Sequence, residues 1–273
     1  MDQPASSHGI LMQPSTDGSS SLPSLHEEGM ALLRQTLDRE LIRHCEEAAD
    51  RFYQKTKSQR PEVIQQSLPT GQKYVPTASS FTLEAVFEPE DCRRILRAIA
   101  TSPARHVIER ALAGPPMCDL DQAWVRRQYA PGRYPPLHAP HAWHQDGALH
   151  HDFKAEASTV PDENGLLPML TCWLPLVPCG DDAPGLEFVA VPIDNLLPPN
   201  ALPDQSLRAT HASEKFWKPS MQPGDVLLFR SGVIHRTHVT PAMQSDRTSI
   251  ELRFVAANEV PPRLGRDRFV PLA

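Results

Sequence analysis

Five of the twelve histidines in this 273-residue chain, His138, His141, His144, His150 and His151, fall in or just before the stretch HAWHQDGALHHD at 141–152. Asp146 follows His144 by two places, and Asp152 follows His150 by two. On an extended strand, side chains two apart share a face and can converge on one ion. A neutral imidazole with a carboxylate suits a first-row divalent metal, and two histidines with one carboxylate leave positions open for substrate and oxygen chemistry on iron(II). A third ligand has to come from elsewhere in the chain.

By itself the His-x-acid pattern is weak. With 12 His and 33 acidic residues in 273, roughly one or two matches arise by chance, and there are four: His26/Glu28, His44/Glu46, His144/Asp146 and His150/Asp152. The first two lie before or within a predicted helix, where residues i and i+2 point about 200° apart and cannot share an ion. Of the other two, His144 has the better context, because it follows apolar Trp143 and precedes Gln145-Asp146-Gly147, as a strand entering a turn would. His150/Asp152 stays open as the alternative.

Downstream, residues 222–254 read as a turn, an apolar strand, a second turn carrying His235, and a further strand carrying Arg247 and Arg253. A late histidine followed by an arginine on an adjacent strand is what a two-histidine, one-carboxylate oxygenase with an acidic cosubstrate needs, because the guanidinium fork holds a carboxylate with two hydrogen bonds. The bland reading is that these are ordinary barrel histidines and solvated strand-face arginines; it weakens because the elements occur together and in order.

The elements that must position these residues follow from periodicity. Residues 1–26 are rich in Ser, Pro and Gln and are expected to form a disordered tail. From Asp38, the apolar positions Leu41, Ile42, Cys45, Ala48, Ala49, Phe52 and Tyr53 recur at helical spacing, predicting an amphipathic helix of about five turns capped by Asp38. Helices are also expected over 88–101 and 102–114, the second with Ser102 as cap, Pro103 in its first turn and Gly114 past its end. After Asp121 the pattern changes to short β-branched or aromatic segments between Pro and Gly clusters, the signature of a sandwich or barrel. The Pro-rich stretch 192–205 reads as a surface loop.

Composition narrows the partners. A net charge of −6 and no basic patch give no attraction for nucleic acid or anionic lipid. No apolar run reaches the ~18 residues of a membrane span, and no export signal is seen, so a cytoplasmic protein with a small-molecule partner is expected. Five cysteines, an odd number without a CxxC pair, read as reduced.

The segments WHQDG (143–147), GLEFVAVP (185–192), GDVLLFRSGVIHRT (224–237) and RTSIELRF (247–254) resemble successive barrel segments of the phytanoyl-CoA dioxygenase family of iron(II)- and 2-oxoglutarate-dependent oxygenases. Residues 27–53 resemble its amino-terminal strand and helix, which makes Met30–Arg34 strand where periodicity alone would extend the helix. The resemblance implies a mainly β fold with flanking helices around a double-stranded β-helix (jelly-roll, cupin-like) core. It implies one domain over 27–273, helical to about 120, with the β-helix core at about 121–256, acting as a monomer or homodimer.

Carried over residue by residue, the resemblance makes His144, Asp146 and His235 the iron ligands and Arg247 the partner of the distal carboxylate of 2-oxoglutarate, assisted by Thr237. Gln128 and Trp173 correspond to positions lining the cosubstrate pocket, and Arg253, of the same strand parity as Arg247, is the fallback carboxylate partner. Arg126 shares Gln128's parity and is placed to meet an anionic substrate, although a strand-face arginine is more often solvated. His138, His141, His150 and His151 are expected to form a polar loop at the cavity mouth, with His151 as a substrate contact. The cofactor set is then iron(II), 2-oxoglutarate and O2. The reaction expected is hydroxylation of a small metabolite or biosynthetic intermediate with release of succinate and CO2; an intact Asp146 argues against halogenation. The alternatives are a metal-dependent hydrolase or isomerase on a similar barrel, or a non-catalytic binding protein. One departure is the segment after GLEF, which reads VAVPIDN where relatives commonly have Pro-Gly-Ser-His, so the 181–206 loop is reshaped.

Overall fold

Strand β1 (Met30–Leu33) precedes helix α1 (Arg39–Thr56), which buries Leu41, Ile42, Cys45, Ala49 and Tyr53 and is capped by the Asp38 carboxylate accepting from Glu40 N. In this computed structural model the described residues are 25, 29–133, 138–149, 169–191, 196–197, 199–260 and 266–273. The expected tail at 1–26, apart from Leu25, lies outside them, as do His150, His151 and Asp152.

Next come α2 (Pro61–Ser67), β2 (Tyr74–Val75), β3 (Ser80–Thr82), α3 (Leu83–Val86), α4 (Pro89–Ala100), α5 (Ala104–Leu112), β4 (Pro116–Asp119) and β5 (Trp124–Gln128). The part before residue 120 is therefore not purely helical: β2, β3 and β4, two to four residues each, are too short for an alternation to declare itself. Helix α5 starts at Ala104 with Pro103, not Ser102, at the cap position and no side-chain cap bond; Ser102, one place earlier, still accepts from Ala104 N through its hydroxyl at 3.2 Å. The left-handed residue at the end of α5 is Ala113, φ 54°, one place before the predicted Gly114. Gly114 instead lies in a tight spot, where an added Cβ would stand 3.0 Å from Asn258 Oδ1 and 3.3 Å from Ala256 Cβ.

The remaining elements are β6 (His144–Gln145), α6 (Asp146–Leu149), β7 (Met169–Pro175), β8 (Gly185–Val189), α7 (Asp204–Thr210), β9 (Phe216–Trp217), β10 (Val226–Arg230), β11 (Ile234–His238), β12 (Arg247–Ala256) and β13 (Phe269–Pro271). The loop expected over 192–205 gives way at Asp204 to α7, which starts directly after Pro203, where proline is compatible with a helix start.

Two antiparallel sheets result. The larger runs β1-β10-β7-β12-β5-β3-β2, with β4 pairing β12 and β13; the smaller runs β6-β11-β8-β9. This is a double-stranded β-helix, or jelly roll, of the cupin-like kind with flanking helices. The helical layer packs on the outer face of the large sheet, where Ile42, Ile95, Ile99 and Ile108 meet Val125, Leu174, Leu228, Ile250, Leu252 and Phe254. On the inner side Trp173, Leu227 and Phe229 of the large sheet meet Leu186 and Phe188 of the small one.

Strand β12 decides how its arginines are to be read. Polar and apolar residues alternate along it, the usual mark of a strand with one wet face, yet all ten residues are buried. Ile250, Leu252 and Phe254 go to the helical layer. By parity Arg247, Ser249, Glu251 and Arg253 turn inward, toward the space between the sheets, and Arg247 and Arg253 are 0 % and 3 % exposed. The bland expectation of solvated arginines is thereby corrected.

Candidate metal centre and cosubstrate pocket

His144 opens the short strand β6, Asp146 opens the helical turn α6, and His235 lies on β11 directly opposite His144 in register. The chain therefore turns from strand to helix between the first two, instead of holding them on one continuous strand. Each of the three residues offers a ligand atom within 4.8 Å of the others. Asp146 Oδ1 is 3.8 Å from His144 Nε2 and 3.6 Å from His235 Nε2.

Both imidazoles are oriented from behind. His144 Nδ1 is 2.7 Å from the Ala142 carbonyl, and His235 Nδ1 is 3.0 Å from the Val233 carbonyl. A carbonyl only accepts, so each Nδ1 carries the hydrogen and each Nε2 keeps a lone pair for the shared centre. Burial, reinforced by the neighbouring His235, pushes His144 down to about 3, which leaves it neutral near pH 7. The His235 ring is packed against Phe188 and Phe229, at centroid distances of 5.7 and 4.7 Å.

Asp146, 2 % exposed, is held by its other oxygen: Thr171 Oγ1 donates to Oδ2 at 2.6 Å and Arg253 Nη2 at 3.2 Å. A carboxylate pinned on Oδ2 presents Oδ1 to the imidazoles. Two imidazoles and one carboxylate, gathered on one side of a buried centre, fit a divalent first-row metal with coordination positions to spare.

A cavity of about 400 Å³ opens from this centre, lined among others by Trp124, Arg126, His141, Trp173, Thr237, Glu251 and Arg253. Arg247 and Gln128 face each other in register between β12 and β5; both are buried, and neither is in the cavity wall, whereas Trp173 and Thr237 are. The Arg247 guanidinium lies over the Trp173 ring at 5.2 Å and donates to Ser249 Oγ at 2.7 Å. Its Nε and Nη2, together with Trp173 Nε1, are buried donors without a partner among the described residues. Among the described residues no carboxylate pairs with Arg247. Burial pushes it down to about 10, so it is still a cation at neutral pH. A buried cation beside three unmet donors is costly unless an anion joins it, and a carboxylate has the shape and charge to do so.

The remaining expectations divide. Arg126 is in the cavity wall, not solvated. Arg253, the fallback partner for a carboxylate cosubstrate, is already engaged by Asp146 and Glu251. His141 lines the cavity; His138 does not, being buried edge-on against Tyr129 at 5.4 Å. His151 and the alternative pair lie outside the described residues. Sequence reasoning passed over Thr171, Ser249 and Glu251. Strand parity was the available signal, since Thr171 is two before Trp173, and Ser249 and Glu251 alternate between Arg247 and Arg253.

Sheet order and site geometry together define the class: the fold is that of the non-haem iron, 2-oxoglutarate-dependent oxygenases. The family profile described as Phytanoyl-CoA dioxygenase (PhyH) matches residues 25–243, and the chain belongs to that family. No curated relative matches the chain by sequence. Similar solved structures include EctD from S. alaskensis with bound Fe, at 16 % identity and TM-score 0.58 over 86 % of this chain and 75 % of that one. The epimerase SnoN in complex with Fe3+, alpha ketoglutarate and nogalamycin RO matches at 14 % identity and TM-score 0.57, over 91 % of this chain and 96 % of that one. HygX from Streptomyces hygroscopicus with nickel and 2-oxoglutarate bound matches at 10 % identity and TM-score 0.53, over 85 % of each chain. No helix among the described residues is long and apolar enough to cross a membrane.

Proposed function

We propose that this protein is an iron(II)- and 2-oxoglutarate-dependent oxygenase that hydroxylates an unactivated C–H bond of a small metabolite or biosynthetic intermediate. The observation that carries the reading is the pairing, in one interior, of the His144–Asp146–His235 cluster with the buried, carboxylate-free guanidinium of Arg247. His144, Asp146 and His235 hold the iron. Arg247, hydrogen-bonded to Ser249, takes the distal carboxylate of 2-oxoglutarate with Thr237 in the cavity wall to assist it, while the Trp173 ring supports the guanidinium.

Iron(II) with bound 2-oxoglutarate, when present, supplies the oxidising chemistry, using O2 to convert the cosubstrate to succinate and CO2 and to insert oxygen into substrate. The chain's own contribution is orientation and dryness. The carbonyls of Ala142 and Val233 fix the two imidazoles, Thr171 and Arg253 fix the carboxylate, and the apolar walls at Leu186 and Phe229 exclude water from one side.

The test is anaerobic titration of the iron(II)-loaded protein with 2-oxoglutarate, following the weak visible charge-transfer band of the chelate. The band is expected in wild type and absent in His144→Ala. Arg247→Ala should need about tenfold to hundredfold more cosubstrate. A folded, iron-loaded wild type without the band sinks the proposal and returns the site to metal-dependent hydrolysis or isomerisation. Solved structures similar to this chain include an epimerase and a carbocyclase, so product analysis for an added oxygen atom decides the outcome of turnover.

A further inference from the structure

The cavity holds an ionic group that the metal centre and the cosubstrate do not use. Glu251, 5 % exposed, lies between two arginines: its Oε1 is 3.3 Å from Arg126 Nε, and its Oε2 is 3.4 Å from Arg253 Nη1. Burial alone would push its carboxyl up, but Arg126, Arg253 and Arg247 outweigh burial and hold it at about 2, so it is a carboxylate at neutral pH. Arg126 also donates from Nε to Ser80 Oγ at 3.0 Å and from Nη1 to His141 Nδ1 at 3.0 Å. Its remaining nitrogen, Nη2, has no partner among the described residues, and the Arg126 side chain forms part of the cavity wall.

Charge then limits what enters. Among the described residues facing the interior, the cations are Arg126, Arg247 and Arg253 and the anions are Asp146 and Glu251. One positive charge is left over. Dicationic iron and dianionic 2-oxoglutarate cancel each other, so the surplus persists in the loaded site. An uncompensated charge in a low-dielectric interior favours a ligand of opposite sign. Arg253 is committed to two carboxylates and Arg247 to the cosubstrate, which leaves the free edge of Arg126.

We propose that the substrate is a small monoanion whose single acid group is anchored by Arg126, with Glu251 as the counter-charge that keeps the cavity from accepting a second dianion. This rests on the reading of the site as one that binds iron and 2-oxoglutarate. Arg126 is thus a specificity residue, and Glu251 sets how much charge the substrate side tolerates.

The experiment is calorimetric titration of the anaerobic iron(II)/2-oxoglutarate protein with matched pairs of probes, hexanoate against hexanamide and phenylacetate against phenylacetamide, while the visible chelate band is monitored. The acids should bind at least about tenfold more tightly than the amides without loss of the band. Arg126→Gln should abolish that preference, and Arg126→Lys, which keeps the charge without the fork, should retain part of it. Glu251→Gln should move the other way, strengthening acid binding and admitting a second equivalent of 2-oxoglutarate. Opposite shifts in the two variants are beyond a merely structural role. The proposal is overturned if no acid binds, if amides bind as well as acids, if the preference survives in Arg126→Gln, or if Arg126→Lys and Glu251→Gln both weaken acid binding. Failure of the chelate band to form in wild type would instead refute the cosubstrate reading, which separates the two failures.

Discussion

Arg253 Nη2 lies 3.2 Å from Asp146 Oδ2, the oxygen that also accepts from Thr171 at 2.6 Å. The arginine that follows Arg247 by six places therefore braces the carboxylate of the His144–Asp146–His235 cluster. Groups that orient a metal-ligating carboxylate typically change metal affinity by 10- to 100-fold when removed. Arg253→Ala and Thr171→Val are each expected to weaken iron(II) binding by about that factor, as read by anaerobic calorimetry. Arg247→Ala should instead weaken 2-oxoglutarate binding. Unchanged metal affinity in both Arg253→Ala and Thr171→Val would remove this assignment.

Glu251 gives a pH dependence of stability with a definite sign. Its carboxyl is held at about 2, below its ordinary 4.5, so the folded state favours the ionised form. The stabilisation is present in full above about 4.5 and is lost as pH falls from there through about 2. Thermal melting of wild type and Glu251→Gln between pH 6 and 3 should show wild type ahead at pH 6 and the gap narrowing below about 4.5. A gap that widens on acidification would contradict the sign.

A second ionic network clamps the outer side of the ligand strands. Glu187, fully buried on β8, meets Arg236 Nη2 at 2.6 Å, Arg208 Nη2 at 3.2 Å and Lys218 Nζ at 3.5 Å. Arg236 stacks on Trp143 at 4.5 Å, and Trp143 Nε1 donates to Asp204 of α7 at 2.9 Å. Trp143 adjoins His144, so the network steadies the first ligand from outside. Removing Glu187 strands cations that are partly solvated, and Glu187→Ala is expected to cost ~1–3 kcal/mol in urea unfolding. A loss of less than a few tenths would show that the cluster is only decorative.

All five cysteines are free and buried. Burial raises every one of these thiols, Cys45, Cys92 and Cys179 to about 12. The thiolate is the reactive form, so native protein should resist iodoacetamide and denatured protein should take up five equivalents, counted by mass. Rapid modification of the native protein would place at least one thiol outside the core.

Much of the architecture was legible because periodicity reports it directly. Helix α1 with its Asp38 cap, the strand segments at Trp124–Gln128, Met169–Pro175 and Val226–Arg230, and the shared strand face of Arg247 and Arg253 all follow from local spacing. Strands β2, β3, β4 and β13 did not announce themselves, since two to four residues give too few alternations to distinguish a strand from a loop. Strand β1 was visible only through resemblance, because its apolar residues also continue the helical pattern that follows.

What the sequence by itself determined was the chemistry on offer: two histidines and a carboxylate at usable spacing, a late arginine, and strands with one polar face. What only the tertiary structure decided was the division of labour among like residues. Arg126, Arg247 and Arg253 share strand faces that turn inward, and spacing gives no means to rank them. Their partners do, and those partners come from other elements: Asp146 of α6 for Arg253, Ser80 of β3 for Arg126, and the Trp173 ring of β7 for Arg247. The role of a buried charge is set by which opposite charges reach it across the fold, and sequence separations of 107 and 46 residues carry no local trace of that contact.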